Sequence, residues 1–146
     1  MLAINPGLIY LLGAGGLYLA RKKFQTVGAL LISLTALIYV YFLPLTARAG
    51  QVDFLNLELV LLSVDQVSKF IGLVLIAAGI IITIYSRRVV DKSYYWLAYL
   101  YIGSAVCLVF VGDLFSFYIG WELMTITSFF LLFKNQLDYQ ISETYF

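Results

Sequence analysis

Residues 113–134, DLFSFYIGWELMTITSFFLLFK, form an apolar run with an acid at one end and a base at the other. The twenty residues between Asp113 and Lys134 include one charged side chain, Glu122. An α-helix of about 20 apolar residues is long enough to cross the hydrocarbon core of a bilayer, which is about 30 Å thick. The run therefore predicts a membrane-spanning helix with a carboxyl group near its middle.

Four more apolar runs precede this one and predict further membrane-spanning helices. The first run ends at Arg21 and the second at Pro44. The five predicted spans cover about residues 3–20, 27–44, 67–86, 94–111 and 114–133. We therefore predict an all-α membrane protein whose 146 residues form a single transmembrane domain of five helices.

The long connection at residues 46–66 has a different pattern. Polar and apolar residues partly alternate along it: Asp53, Asn56 and Glu58 interleave with Phe54, Leu57 and Leu59. A period of two is typical of a strand with one covered face. We expect a short strand or β-hairpin that lies over the outer membrane surface.

The composition excludes several classes of function. Hydrophobic residues make up 63% of the chain and charged residues 12%, against about 45–50% and about 25% in soluble domains. The chain has no His and one Cys, which leaves no His-based catalysis, no His-ligated metal or haem and no intrachain disulfide. A net charge of +1 provides no basic surface for nucleic acid. We therefore predict no catalytic site, no metal and no cofactor.

The basic residues predict the orientation in the membrane. Seven of the nine fall on one side of the predicted helices, namely Arg21, Lys22, Lys23, Arg87, Arg88, Lys92 and Lys134. The opposite side holds Arg48 and Lys69. Because cytoplasmic loops carry an excess of basic residues, the N-terminus is predicted outside and the C-terminus in the cytoplasm. We therefore expect a multi-pass protein of a cell membrane, with the prokaryotic inner or plasma membrane as its location.

Glu122 is the main candidate for a functional residue. An ionised carboxylate near the bilayer centre costs at least a few kcal/mol unless it is paired, hydrated or protonated. Tyr118 and Thr125 stand four residues before it and three after it, and so share its helix face. We interpret Glu122 as a functional acid that can exchange a proton if its surroundings change, with Tyr118 and Thr125 as polar neighbours. The alternative is a structural Glu that is satisfied by a hydroxyl group or by a partner helix.

Two further acids are candidates for minor roles. Asp65 follows Ser63 in a segment with capping-box spacing, so either residue is expected to cap the third helix; the other interpretation of Asp65 is that it faces a water-filled vestibule. Lys69, four residues after Asp65, is expected to pair with it on one helix face. Asp113 suits the N-terminal dipole of the fifth helix.

Two stretches resemble a known family. Residues 62–70, LSVDQVSKF, are similar to the start of the third helix of antiporter-like membrane subunits, and residues 113–124, DLFSFYIGWELM, are similar to their fifth helix with its Trp-Glu pair. The family includes the L, M and N type subunits of proton-pumping NADH-quinone oxidoreductase and the large subunits of Mrp-type sodium/proton antiporters. It also includes the corresponding subunits of membrane-bound hydrogenases and sulfane reductases.

The resemblance implies a role for Glu122. Family members are similar to a plan of fourteen helices, in which the fifth-helix Glu faces a Lys on the seventh helix. By position Glu122 would be that Glu, but residues 135–146 stand where a sixth helix is expected, and the Lys partner has no counterpart. We therefore expect other membrane subunits as partners, one of which supplies a Lys opposite Glu122.

Two hypotheses follow from the resemblance. In the first, the chain is a truncated or split antiporter-like subunit of a redox-driven complex and contributes to H⁺ or Na⁺ translocation through Glu122. In the second, it is a non-transporting accessory or assembly subunit of such a complex. An unrelated small transporter is a weaker third idea, because five helices without a repeat offer no alternating-access symmetry.

Overall fold

A computed structural model describes residues 4–54, 57–86 and 94–144. These residues form five helices and one pair of strands. In chain order the elements are α1 Gly7–Leu19, α2 Lys22–Phe42, β1 Arg48–Phe54, β2 Leu57–Ser63, α3 Gln66–Ser86, α4 Tyr95–Val109 and α5 Leu114–Thr144.

Within the described residues, three helices have the length and hydropathy that crossing a membrane requires. The apolar stretches are Lys23–Phe42 in α2, Gln66–Ser86 in α3 and Leu114–Lys134 in α5. The apolar helices α1 and α4 are shorter, with 13 and 15 residues, which correspond to about 20 and 23 Å. The chain is thus a mostly helical membrane protein, as its composition predicts.

Two helices extend beyond the predicted spans. Helix α2 begins at Lys22, not at residue 27, and its Gln25 side chain donates hydrogen bonds to the carbonyls of Leu17 and Ala20 at 3.1 and 3.3 Å. Helix α5 continues beyond residue 133 to Thr144. The reason is physical: hydropathy marks the part of a helix that lies in hydrocarbon, whereas backbone hydrogen bonds continue into polar sequence.

The centre of the bundle is a hydrogen-bonded tyrosine. Tyr99 on α4 is 1% exposed. Its hydroxyl donates to the Ala29 carbonyl at 2.7 Å and lies 2.8 Å from the hydroxyls of Ser33 and Thr83. Its ring lies 5.5 Å from that of Tyr10 on α1. One side chain therefore connects α4 with α1, α2 and α3.

Small residues bring α1 and α4 into close contact. A Cβ atom on Gly7 would lie 2.5 Å from the backbone nitrogen of Cys107, and one on Gly103 would lie 2.7 Å from the Cβ of Tyr10. Side chains larger than hydrogen at these positions would push the two helices apart. Such packing is common where no solvent-driven force holds helices together.

The predicted β-hairpin is present in the connection between α2 and α3. Strands β1 and β2 pair antiparallel from Arg48 opposite Ser63 to Phe54 opposite Leu57. The segment between α4 and α5 lies along the other side of β2, because the Ser63 amide donates to the Phe110 carbonyl at 2.7 Å. The hairpin is therefore fixed to the helical bundle. Asn56, which the alternation included, lies outside the described residues.

Replacement of Tyr99 by Phe tests the central hydrogen bonds. The change removes a hydroxyl that bonds to two other helices, so we expect the free energy of unfolding in detergent micelles to fall by about 1–2 kcal/mol. The control is Tyr101→Phe, on the exposed side of the same helix, which should leave stability unchanged. Equal stability of the two variants would show that the hydrogen bonds of Tyr99 are not important for the fold.

Candidate functional site

Helix α5 packs against the rest of the protein along one side only. It contacts α4 and the strand β2. Ser116 and Thr127 are buried on this side, and Gly120 faces Leu108 so closely that a Cβ would lie 2.9 Å from its Cδ2 atom. The other side of the helix is exposed along its apolar length, and its large exposed side chains include Ile119, Trp121, Ile126 and Phe130.

Glu122 lies on the exposed side of α5. It is eight residues after the first residue of the helix and twelve before Lys134, about 12 Å and about 18 Å along the axis. These distances place the carboxyl group well inside the apolar length of the helix. Among the described residues, Glu122 has no ion-pair partner.

The structure brings Tyr118 and Glu122 together. Their side chains interact, and the Tyr118 side chain is 59% exposed on the same face. Thr125 is also exposed on this face, but its hydroxyl donates to the backbone carbonyl of Trp121 at 3.0 Å. The hydroxyl oxygen of Thr125 keeps a free lone pair. The three predicted residues thus form a polar strip on a helix face that packs against nothing in the described part of the chain.

Asp65 is the N-cap of α3. Its carboxylate accepts a hydrogen bond from the Ser68 amide at 2.6 Å, and the Ser68 hydroxyl accepts one from the Asp65 amide at 2.9 Å. Of the two predicted caps the structure thus selects Asp65, while Ser63 belongs to β2. Hydrogen bonding to the side chain and then the backbone of Ser68 lowers the pKa of Asp65.

Lys69 does not pair with Asp65. Its ammonium group donates to the backbone carbonyl of Leu43 at 2.7 Å, at the C-terminus of α2. That carbonyl has no partner within its helix and lies at the negative end of the helix dipole, so it attracts a cation. The i to i+4 spacing of the sequence gave no sign of this contact, because Leu43 is 26 residues away.

Asp113 joins the start of α5 to the hairpin. One carboxylate oxygen accepts from the Ser116 amide at 2.8 Å, as an N-cap does, and the other accepts from the Val60 amide of β2 at 2.7 Å. Next to it, the Gly112 amide donates to the Val60 carbonyl at 2.8 Å. The predicted position at the helix end is correct, and the contact with the strand is an addition that the sequence did not predict.

The environment of Asp113 favours its ionised form. Partial burial raises the pKa, but hydrogen bonds from Ser116, Val60 and Phe115 outweigh that effect and hold the pKa of Asp113 below its usual value of 3.8. Neither Asp113 nor Asp65 lies beside Glu122. Asp113 is nine residues before Glu122 on α5, about 13 Å along the axis, and Asp65 begins α3, which packs on α2 and α4.

Asn5 is a structural residue that the sequence did not indicate. Its amide nitrogen donates to the carbonyls of Leu61 and Cys107 at 2.8 and 3.2 Å, and its oxygen accepts from the Gly7 amide at 3.0 Å. It therefore ties the start of α1 to the hairpin and to the end of α4. An Asn just before Pro6 at a helix start is the only local sign of this role.

No described group of three acidic or Cys side chains is placed to hold a metal ion. The polar strip on α5 offers one carboxylate, that of Glu122, and two hydroxyls, those of Tyr118 and Thr125.

Replacement of Asp113 by Ala tests the connection between α5 and the hairpin. The change leaves two backbone amides without an acceptor, so we expect a loss of about 1–2 kcal/mol in the free energy of unfolding at neutral pH. Because the folded pKa is lowered, this contribution is present above pH 4 or so and is lost as the pH falls through the folded pKa. The free energies of unfolding of the original protein and of Asp113→Ala, measured in detergent, should therefore approach each other at acidic pH.

The matched variant is Asp113→Asn, whose single amide oxygen can accept from only one of the two amides. Its stability should lie between those of the other two proteins. A difference between Asp113 and Ala that persists unchanged at low pH would show that the carboxylate charge has no part in the contact.

Comparison with known proteins shows relatives for most of the chain. No family model matches it. The protein "NADH-ubiquinone oxidoreductase chain 5" of Ascaris suum is 31% identical over 113 residues, which are 73% of this chain and 20% of that protein. A chain of the archaeal membrane-bound sulfane sulfur reductase, a respiratory membrane complex, matches with a TM-score of 0.75 at 20% identity, over 89% of this chain and 22% of that chain.

The chain spans about a fifth of the length of each of these two proteins. The match to the first is one of sequence, and the match to the second is one of fold. Together they confirm what the residues predict: the chain is similar to antiporter-like membrane subunits.

Proposed function

We propose that the chain is an antiporter-like component of a redox-driven, multi-subunit membrane complex and contributes to H⁺ or Na⁺ translocation through Glu122. The observation that carries the proposal is the position of this carboxylate, on the unpacked face of an apolar helix. The names of the two relatives support a redox-driven complex, because one is a chain of an NADH-ubiquinone oxidoreductase and the other belongs to a sulfane sulfur reductase that is a respiratory membrane complex.

The arrangement of the helix ends supports five membrane crossings. One end of the bundle gathers the start of α1, the end of α2, the start of α3 and the end of α4, through the contacts of Asn5, Lys69 and Ser63. At the other end the Lys134 ammonium stacks over the Tyr94 ring at 4.5 Å, so α5 leaves the bundle where α4 enters it. Consecutive helices thus run in opposite directions.

The charges at the two ends support the proposed orientation. The hairpin end carries Arg48 and Lys69, and the opposite end carries Arg21, Lys23 and Lys134 among the described residues. By the positive-inside rule, the hairpin and the N-terminus lie outside the cell and the C-terminal end of α5 lies in the cytoplasm of a prokaryote. The shortness of α1 and α4 is compatible with crossing through modest local thinning of the bilayer.

The exposed face of α5 requires contact with other protein groups. A carboxylate that faces hydrocarbon costs at least a few kcal/mol, whereas a carboxylate that faces another polar group in a protein interface is stabilised. We therefore place further membrane helices against Tyr118, Glu122 and Thr125, with a Lys opposite Glu122. These helices are not among the described residues.

Ion transfer needs two arrangements of this pair. When the Lys and Glu122 are in contact, their charges neutralise each other; when they separate, the carboxylate binds an ion, H⁺ or Na⁺, in place of the Lys. A redox reaction elsewhere in the complex then drives transfer by favouring one arrangement over the other. A sodium ion in place of the proton satisfies the same carboxylate.

The second candidate is an accessory or assembly role. It is favoured by the lack of a basic partner for Glu122 within the described residues. In that case the α5 face is a docking surface, and Glu122 is satisfied by a static contact. The two functions differ in what they require of the carboxylate: transfer needs its charge, and docking needs only its hydrogen bonds.

The variant Glu122→Gln separates the two functions, because Gln keeps the size and hydrogen bonding of the side chain without its charge. We expect ion uptake by vesicles that contain the assembled complex to fall about tenfold. This is within the range of about 5–150-fold that corresponds to typical coupling free energies between two sites. The complex should still assemble on a native gel.

The control is Tyr118→Phe, which removes a neighbouring hydroxyl and keeps the carboxylate. It should reduce ion uptake less than Glu122→Gln does. Normal uptake by an intact complex with Gln at position 122 would refute the transport role and leave the accessory role.

A further inference from the structure

An apolar groove lies between α1 and α2 on the outer surface of the bundle. Its volume is about 450 Å³, within the range of about 300–1,000 Å³ that small-molecule sites have. It is lined by Gly13, Gly16, Leu17, Ala20, Phe24, Val27, Gly28, Leu31 and Ile32. All of these residues are apolar, and from Gly13 to Ala20 the groove follows α1 for about 10 Å.

The groove is open because Gly16 has no side chain to fill it. A Cβ atom on Gly16 would have no neighbour within 4 Å. At the deeper end, a Cβ atom on Gly13 would lie 2.7 Å from Ile32, so the two helices close together there. The groove is therefore closed at the end near Gly13 and open at the end near Ala20 and Phe24.

Basic residues stand at the open end. Arg21 is the N-cap residue of α2, and Lys23 is in the first turn of α2; both are exposed. Among the residues that the structure describes, neither has an anionic partner. An apolar slot that ends at two unpaired cations is complementary to a molecule with a long apolar chain and an anionic head.

We propose that this groove is a binding site for an anionic glycerophospholipid. One acyl chain lies between α1 and α2 along Gly16, and the phosphate contacts Arg21 and Lys23 at the membrane surface. Basic pockets between helices on the cytoplasmic side are suited to such head groups. The residues that line the groove are not those that contact Tyr99, and the proposal does not depend on the role of Glu122.

Photoactivatable lipids test the proposal directly. The chain is reconstituted in phosphatidylcholine vesicles that contain a small fraction of diazirine-labelled phosphatidylglycerol or, separately, diazirine-labelled phosphatidylcholine. After illumination, the labelled residues are mapped by mass spectrometry of peptides. We expect phosphatidylglycerol to label the groove residues of α1 and α2 in preference to phosphatidylcholine.

Matched variants test the basic residues and the apolar groove separately. Arg21→Gln and Lys23→Gln should each reduce labelling by phosphatidylglycerol about fivefold, the equivalent of about 1 kcal/mol per basic residue. Arg48→Gln, which neutralises an exposed cation on the hairpin, should have no effect. Gly16→Leu should abolish labelling of the groove, and Gly15→Leu should not, because Gly15 has equal free space but does not line the groove.

Three results would overturn the proposal. Equal labelling by the two lipids would exclude recognition of the anionic head. Unchanged labelling in Gly16→Leu would exclude the groove. Equal loss of labelling in Gly15→Leu and Gly16→Leu would show that labelling depends on the surface of α1 in general and not on the groove.

Discussion

The hydroxyl group of Tyr99 is the contact on which the helical bundle depends. It bonds to the Ala29 carbonyl and to the hydroxyls of Ser33 and Thr83, and all of these groups are buried. In a membrane, burial of apolar surface does not by itself bring helices together, so small residues and polar contacts specify which faces meet. Tyr99 does this for α2, α3 and α4, and its ring adds α1.

The fifth helix is attached to this unit in a different way. It lies on α4 and is tied at its start by Asp113, which bonds both its own helix and strand β2. Only one side of α5 is used in these contacts, and the polar strip with Glu122 lies on the other. The other four helices therefore present a fifth helix on which Glu122, the acid within its apolar stretch, points away from the protein's own core. This is the arrangement expected of a surface that other helices cover.

Much of this could be predicted from the sequence, for identifiable reasons. The apolar runs predicted the helices, because a membrane helix makes its backbone hydrogen bonds within itself and its formation does not depend on contacts with distant segments. The alternation around Asp53 and Glu58 predicted the hairpin, and the capping pattern at Ser63 and Asp65 predicted the start of α3 without deciding which of the two residues is the cap. Contacts between distant segments were not predictable: nothing near Tyr99 in the sequence shows that its hydroxyl meets Ala29, 70 residues away. Lys69 was assigned to the wrong partner for the same reason.

The role of Glu122 depends on what covers its face of α5. Photo-crosslinking from position 122, with p-benzoylphenylalanine in place of Glu122 in the assembled complex, measures this most directly. We predict crosslinks to a membrane-spanning peptide from outside residues 1–146 that carries a Lys within one helical turn of the attachment point. Crosslinks to lipid alone would contradict the account, because the carboxylate would then face hydrocarbon and have no partner with which to exchange charge.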